Sequence, residues 1–294
     1  MRKILTATLV LLFAVALTTD AKKKEASFQM YSVRELIGDP GKYAKNHDTV
    51  LKELAKMGYT SIEAANYDNG KFYGVSPEQF KADIEAAGLE VLSSHTTRNL
   101  NDEEIKNHDF KAALKWWDEC IDAHKRAGMK YIVAPWCNVP STIGALQTVC
   151  DFYNEVGKRV KAAGMEFGYH NHSHEYQKVE GKEMMYDYMI QHTNPDYVFF
   201  EMDVYWTVRG QQSPVEYFQK YPGRFKLLHI KDHTEIGKSG MVGFDAIFGN
   251  TDKAGMEYWV LELEHGTTPD IMLGMKESID YLLAAKYVKS TYKK

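Results

Sequence analysis

One phrase recurs along this chain: the end of an amphipathic helix, a glycine, and then a run of β-forming residues. Its copies read LAKMGYTSIEAA at 54–65, IEAAGLEVLSSH at 84–95, HKRAGMKYIVAP at 124–135, VKAAGMEFGYHNH at 160–172 and TDKAGMEYWVLELE at 251–264. Each glycine stands where a helix is expected to end in a left-handed cap. The apolar runs that follow are typical of strands buried on both faces. A unit repeated in this way predicts helices that alternate with parallel strands.

Three further segments have the same apolar character without the glycine phrase. Together with the repeats they predict eight strands, near 28–33, 60–65, 89–95, 130–134, 165–171, 197–203, 225–230 and 257–263, with helices that include 77–87, 110–127, 143–163 and 270–285. Eight such units in about 265 residues fit a single α/β domain, a (β/α)8 TIM barrel over residues 27–294. The alternative is a doubly wound open sheet. That fold usually carries a glycine-rich nucleotide loop after its first strand, where this chain reads YSVRE from Tyr31.

The first residues predict a targeting segment. Arg2 and Lys3 precede an apolar run over 4–17, and small and polar residues follow as far as Ala21. This order is typical of a secretory signal peptide, which we assign to residues 1–21, with an uncleaved anchor as the alternative. The run is short for a bilayer span, which takes about 20 residues. We therefore expect an exported protein, periplasmic or extracellular, with no stable membrane span once the leader is removed.

Charge and cysteine content exclude two classes of function. The net charge is −4, and no basic stripe is present, so nucleic acid is not an expected partner. The three cysteines, Cys120, Cys137 and Cys150, are odd in number and have neither zinc-site nor disulfide-framework spacing. Three buried thiols are the simplest interpretation, with one disulfide left open.

Polar side chains collect where the predicted strands end. They are Gln29, Arg34, Glu63, His95, His170, His172, Asp203, His229, Lys231, Asp232, Glu262 and Glu264. In a TIM barrel the carboxyl ends of the strands form the active-site face. Strand alternation places four pairs on inward faces: His170 with His172, Glu201 with Asp203, His229 with Lys231, and Glu262 with Glu264. Imidazole and carboxylate groups from four strands predict a site for a divalent ion such as Mn²⁺, Zn²⁺, Co²⁺, Fe²⁺ or Mg²⁺.

With these motifs the chain resembles the xylose-isomerase-like superfamily of sugar isomerases, epimerases and inosose dehydratases. The motifs are QMYSVR from Gln29, YHNH from Tyr169, FEMDVYW from Phe200, HIKD from His229 and ELE from Glu262, and the resemblance spans nearly the whole chain after the leader. In epimerase-type relatives, Glu, Asp, His and Glu from strands five to eight hold one metal. Carried over, the resemblance implies the ligands His170, Asp203, His229 and Glu262.

This sequence departs from the family pattern at two positions. A histidine, His170, replaces the strand-five glutamate, which in the epimerases is one of two acid–base groups. Of that pair only Glu262 remains, and a second base would have to come from His172, Lys231, Glu63 or Glu175. Trp206 stands where several relatives have a histidine, which argues against the trinuclear zinc site of endonuclease IV and suits packing against a sugar ring.

We therefore predict a metal-dependent isomerase or epimerase for a small, unphosphorylated sugar or polyol ketone. The chemistry that the resemblance implies is α-proton abstraction and an enediolate intermediate. The assigned catalytic residues are Glu262, Lys231 and His172, where Lys231 is either a cation within reach of a substrate oxygen or an amine whose pKa is lowered by burial. The assigned substrate-binding residues are Glu63, His95, Glu175, Trp206 and Arg34. The alternatives are a keto-sugar or keto-glycoside lyase or dehydratase, a non-catalytic metal- or sugar-binding protein, and a purely structural barrel. A small carbohydrate is the expected partner, and homo-oligomer formation stays open.

Overall fold

The computed structural model describes residues 24–293, in which eight parallel strands close into a barrel. The strands are β1 (Ser27–Gln29), β2 (Ser61–Ala64), β3 (Glu90–His95), β4 (Tyr131–Ala134), β5 (Glu166–His170), β6 (Val198–Asp203), β7 (Leu227–Lys231) and β8 (Tyr258–Glu262). Each strand pairs with its neighbours in chain order, and β8 closes the barrel against β1. The predicted single TIM barrel is confirmed.

Helices surround the barrel. They are α1 (Arg34–Ile37), α2 (Pro40–Met57), α3 (Pro77–Ala86), α4 (Asp102–Asn107), α5 (Lys111–Arg126), α6 (Ile143–Ala162), α7 (Met185–His192), α8 (Val204–Arg209), α9 (Pro214–Lys220), α10 (Phe244–Gly249), α11 (Thr251–Ala254) and α12 (Ile271–Ala284). Two small hairpins, Tyr67–Asp68 with Lys71–Phe72 and Lys178–Val179 with Glu183–Met184, lie outside the barrel sheet. The hairpins carry no signal that the sequence analysis recognised.

The repeat glycines end helices as predicted. Gly58, Gly88, Gly128, Gly164 and Gly255 all have positive φ angles, between 78° and 117°. Side chains with a Cβ rarely adopt this backbone conformation, so glycine lets the chain reverse from helix to strand within two or three residues. The repeat is therefore a helix-stop signal, and it precedes five of the eight barrel strands.

Apolar side chains fill the lower half of the barrel interior. Tyr131, Phe199 and Leu227 form this inner cluster with neighbours on adjacent strands. Gly168 makes room for it, because a Cβ at this position would lie 2.5 Å from the Phe199 ring. One inward step above Leu227 along β7 comes His229, so the packed layer gives way to a polar one that forms the floor of the site.

Three strand ends at the site differ from the prediction. The first strand stops at Gln29, and Met30–Val33 form a 3-10 helix, because the Gln29 side chain accepts a hydrogen bond from the backbone N–H of Tyr31. The fifth strand ends at His170, so His172 lies in the following loop, where strand alternation does not determine its direction. Strand seven extends to Lys231, one residue beyond the predicted end.

The predicted signal peptide lies outside the described residues. Within residues 24–293, no helix is both long and apolar enough to cross a membrane. Cys120, Cys137 and Cys150 are buried free thiols, which agrees with the simplest interpretation of the cysteine pattern.

Candidate metal centre and active site

Three side chains from β6, β7 and β8 form a donor group at the mouth of the barrel. The His229 Nδ1 atom lies 3.5 Å from Glu262 Oε2 and 3.8 Å from Asp203 Oδ2. Both His229 Nδ1 and Asp203 Oδ2 are buried without a hydrogen-bond partner among residues 24–293. Buried polar atoms are normally paired, so two orphans facing each other mark a place for a cation. A mixed imidazole and carboxylate group suits a borderline-hard divalent ion.

The second ring nitrogen of His229, Nε2, fixes the orientation of the ring for this role. Its Nε2 atom lies 2.8 Å from Glu63 Oε1, and Glu63 also accepts hydrogen bonds from Gln29 Nε2 (2.9 Å) and Ser93 Oγ (2.7 Å). Burial alone would raise the pKa of the Glu63 carboxyl, but His95 and His229 bring it below its ordinary value, so Glu63 is an anion that can only accept. Nε2 therefore carries a hydrogen. A metal-ligating histidine is typically held by a carboxylate in this way.

In the absence of a metal a proton occupies the same position. Burial opposes a charge on His229, but the surrounding carboxylates of Glu201, Asp203, Glu262 and Glu63 raise its pKa well above the ordinary value. The ring then carries hydrogens on both nitrogen atoms. A divalent ion supplies the same positive charge at Nδ1, so metal binding is expected to release a proton.

A second donor group lies beside the first and shares His229. Its other members are His95, His170 and Glu201, and one ligand atom from each of the four residues lies within 4.8 Å of the rest. His95 Nε2 is 2.6 Å from Glu201 Oε2, and His170 Nδ1 is 3.3 Å from the same oxygen. His170 Nδ1 and Glu201 Oε1 are unpaired in the part of the chain that the structure describes.

The predicted four-ligand set is therefore divided between two groups. Asp203, His229 and Glu262 lie together, whereas His170 lies with Glu201 and His95 in the second group. Glu201 was not among the predicted ligands, although strand alternation placed it inward two residues before Asp203. That alternation could have identified Glu201 as a donor, but the family pattern has no ligand at its position.

Lys231 requires a correction. Its Nζ atom donates to Glu262 Oε2 (2.9 Å) and Glu264 Oε2 (2.7 Å), and the residue is 2% exposed. Burial acts to lower the pKa of this amine, as the sequence analysis expected, but Glu262, Asp203 and Glu264 outweigh burial and raise it above its ordinary value. Lys231 is a fixed ammonium group at neutral pH and not a free amine base.

A cavity of about 290 Å³ opens above these groups. It is lined by Tyr31, Ala65, His95, Pro135, His170, His172, Trp206, Lys231, Glu262 and Glu264. Seven of these ten residues can donate or accept a hydrogen bond through a ring nitrogen, an ammonium, a carboxylate or a hydroxyl group, not counting the indole of Trp206. The indole ring of Trp206 forms one wall, with the Lys231 ammonium 5.5 Å from its centre.

His172 is the unpaired base of this cavity. Its ring centre lies 5.1 Å from that of Trp136 and 5.5 Å from that of Trp206, and its Nδ1 atom has no partner within the described chain. Burial lowers the pKa of His172 to about 3, so the ring is neutral at physiological pH. The backbone N–H of His172 donates to Glu175 Oε2 (2.9 Å), which fixes the loop.

Three predicted substrate contacts lie elsewhere than expected. Glu63 and Glu175 are fully buried and do not line the cavity; Glu63 holds His229 from behind, and Glu175 holds His172 and accepts from the Tyr169 hydroxyl (2.7 Å). Direct substrate contact by these two residues is corrected to a positioning role. Arg34 lies at the rim, where it donates to the Glu264 carbonyl oxygen (3.3 Å) and covers the Tyr31 ring.

Comparison with known proteins agrees with this geometry. A family model described as xylose isomerase-like TIM barrel matches residues 51–285. The crystal structure of a sugar phosphate isomerase/epimerase from Parabacteroides distasonis is 35% identical, with a TM-score of 0.80, and the match covers 90% of this chain and 100% of that one.

Two more distant relatives extend the comparison. An inosose dehydratase from Geobacillus kaustophilus is 24% identical over 203 residues, which are 63% of this chain and 61% of the dehydratase, so less than two thirds of that enzyme is matched. The IolI protein, crystallised with a zinc atom, is 16% identical with a TM-score of 0.65 over 92% of this chain and all of that one, and it shares the fold alone. Because the family model matches most of the length of the chain, the chain belongs to the xylose isomerase-like TIM-barrel family.

Proposed function

We propose that this protein is a divalent-metal-dependent isomerase or epimerase that removes the proton next to the carbonyl group of a small, unphosphorylated keto-sugar. One observation carries the proposal. The Asp203–His229–Glu262 group presents two orphaned, buried donor atoms next to a cavity lined by an unpaired neutral base, His172. A family of sugar isomerases, epimerases and dehydratases supplies the class of reaction.

The metal would be held by Asp203, His229 and Glu262, the three donors that lie together. Three protein ligands with an open position are the usual arrangement of a catalytic divalent ion. Such an ion polarises a substrate carbonyl group and stabilises the negative charge that develops when the α-proton leaves. The donor types do not distinguish Mn, Zn, Co, Fe and Mg.

His172 is the proposed base. Proton abstraction needs an unprotonated acceptor within reach of the substrate, and the neutral His172 ring lines the cavity. Glu262 is less suitable as a base, because its carboxylate accepts a hydrogen bond from Lys231 (2.9 Å) and is one of the proposed metal ligands. Lys231, a fixed ammonium group, would donate a hydrogen bond to a substrate oxygen.

The charges of the cavity favour a substrate without phosphate. Lys231 is the one cationic side chain among the described residues that line the cavity, and its ammonium group is already ion-paired with Glu262 and Glu264. A phosphate group would therefore approach two carboxylates, and no lining residue in the described chain offers it an unpaired cationic side chain. The predicted export agrees with this proposal, since sugar phosphates are mostly intracellular, and it remains a prediction.

Elimination by a lyase or dehydratase is the second candidate. The cavity offers one neutral base, His172, to remove a proton and one ammonium group, Lys231, to stabilise the negative charge on a leaving oxygen by a hydrogen bond. Two-sided epimerisation would require a second free base. The similarity to an inosose dehydratase supports the same candidate.

Solvent exchange tests the proposal. The purified protein is analysed for bound metal, loaded with Mn²⁺, Co²⁺ or Zn²⁺ in turn, and incubated in D₂O with a panel of unphosphorylated keto-sugars. We expect deuterium at the carbon next to the carbonyl group with the wild type, a loss of about 10²–10⁴ in exchange rate for His172→Asn at normal metal content, and loss of metal for Asp203→Asn. Isomer or epimer formation supports the first candidate, and an unsaturated product supports elimination. Metal-loaded protein that binds a sugar without exchanging any proton would overturn both and favour a binding protein.

A further inference from the structure

A second, larger cavity of about 490 Å³ lies on the same face of the barrel. The segments that follow β3 and β4 form it together with helix α6. Its polar wall includes Asn99, Asn138 and Ser141, and its apolar floor includes Phe152 and Tyr153. None of the groups used in the proposed reaction lies in it.

The segment that contains Trp136 runs between this cavity and the site: Pro135 lines the site cavity, and Cys137 and Asn138 line the larger one. On one side its ring contacts the ring of His172, which lines the site cavity. On the other side it is bonded to two residues that line the larger cavity: its carbonyl oxygen accepts from Asn99 Nδ2, and its indole N–H donates to Asn138 Oδ1, both at 3.0 Å. Trp136 therefore lies where the residues of the two cavities meet.

The exposure of Trp136 is the unexplained feature of this segment. The residue is 44% exposed although its ring is fixed, with the His174 ring 4.2 Å away and both polar groups of the residue bonded. An immobilised aromatic surface that is left open costs little entropy when a ligand packs against it, and its face suits the C–H surface of a sugar ring. Trp136 uses only the amide oxygen of Asn138, so the Asn138 amide NH₂ and the Ser141 hydroxyl in the larger cavity can bond to sugar hydroxyl groups.

We infer that the larger cavity is a binding position for a second sugar ring, and that Trp136 is the stacking surface between the two rings. The substrate class is then a glycoside whose reacting ring occupies the site cavity, not a free monosaccharide. The volume of the site cavity, about 290 Å³, lies at the lower end of small-molecule sites, which suits a single ring. This inference rests on the proposed function for the reacting ring.

Binding measurements on the metal-loaded full chain test the inference. Glucose, galactose and xylose are compared by calorimetry with disaccharides that contain them, for the wild type, Trp136→Ala and Trp136→Phe. Tyr281→Ala is the matched control, because Tyr281 is a similarly exposed aromatic residue (41%) on α12. We expect at least one disaccharide to bind about tenfold more tightly than its monosaccharide, Trp136→Ala to remove that gain, and Trp136→Phe and Tyr281→Ala to keep most of it. Monosaccharide affinity should not change in any variant.

Two results would overturn the inference: no disaccharide binds more tightly than its monosaccharide, or the gain survives in Trp136→Ala. The proposed function fails separately, in the deuterium exchange assay. A disaccharide gain that depends on Trp136 without any exchange would keep the second binding position and reject the reaction. Exchange on monosaccharides without a disaccharide gain would do the reverse.

Discussion

Replacement of Lys231 by methionine separates the structural role of this ammonium from its chemical role. Lys231 is 2% exposed, and the variant leaves Glu262 in the barrel mouth with His229 as its remaining cationic neighbour in the described chain. Removing one partner of a buried ion pair costs about 3–5 kcal/mol. The Glu264 side chain is 32% exposed, so water screens the Lys231–Glu264 ion pair and reduces its contribution. We therefore expect the free energy of unfolding to fall by about 3 kcal/mol, the lower end of that range. For a chain of this size that lowers Tm by about 6–12 °C.

The assay is thermal unfolding with EDTA and with saturating Mn²⁺. Metal supplies a positive charge beside Glu262, so the difference between Lys231→Met and wild type should be smaller with Mn²⁺ than with EDTA. Lys231→Arg, which keeps the charge, is the control and should retain most of the stability. In the exchange assay Lys231→Met should lose a factor of about 10²–10⁴ at normal metal content. A Tm within 2 °C of wild type in EDTA would refute the ion-pair argument, and full exchange activity would refute the chemical role.

The remaining predictions concern other parts of the barrel. Glu262→Gln should abolish turnover and weaken metal binding measured by elemental analysis, whereas Glu264→Gln should do less; the opposite order would shift the ligand assignment by two residues. Burial lowers the pKa of His124 to about 4, so its neutral form stabilises the fold above pH 6.5, and on the order of 3 kcal/mol is lost as the pH falls to 4. Urea unfolding of His124→Gln should show a shallower acid dependence, and an unchanged slope would contradict the assignment. Gly168→Ala places a methyl group 2.5 Å from the Phe199 ring and should cost about 1–3 kcal/mol in the same assay; unaltered stability would show that the inner core can adjust.

Periodicity and glycine placement predicted the barrel because both are local properties of the chain. A helix that must reverse needs a left-handed residue, and Gly58, Gly128 and Gly255 meet that need wherever the rest of the protein lies. Strand alternation likewise assigned His229 and Glu262 to the interior before any contact was known. These inferences need only a few neighbouring residues.

The composition of the site depended on tertiary structure. Strand alternation tells on which face a side chain lies, but not how far along the barrel axis it lies, because the strands of a closed barrel are staggered. It therefore could not show that His170 belongs to the donor group of Glu201 and not to that of Glu262. The direction of the Lys231 pKa shift also depended on tertiary structure. Burial and carboxylates act in opposite directions, and the distances to Glu262 and Glu264 decide between them. The sequence by itself determined the fold and the polar face of the barrel, and tertiary distances decided which of those polar groups meet and what charge they carry.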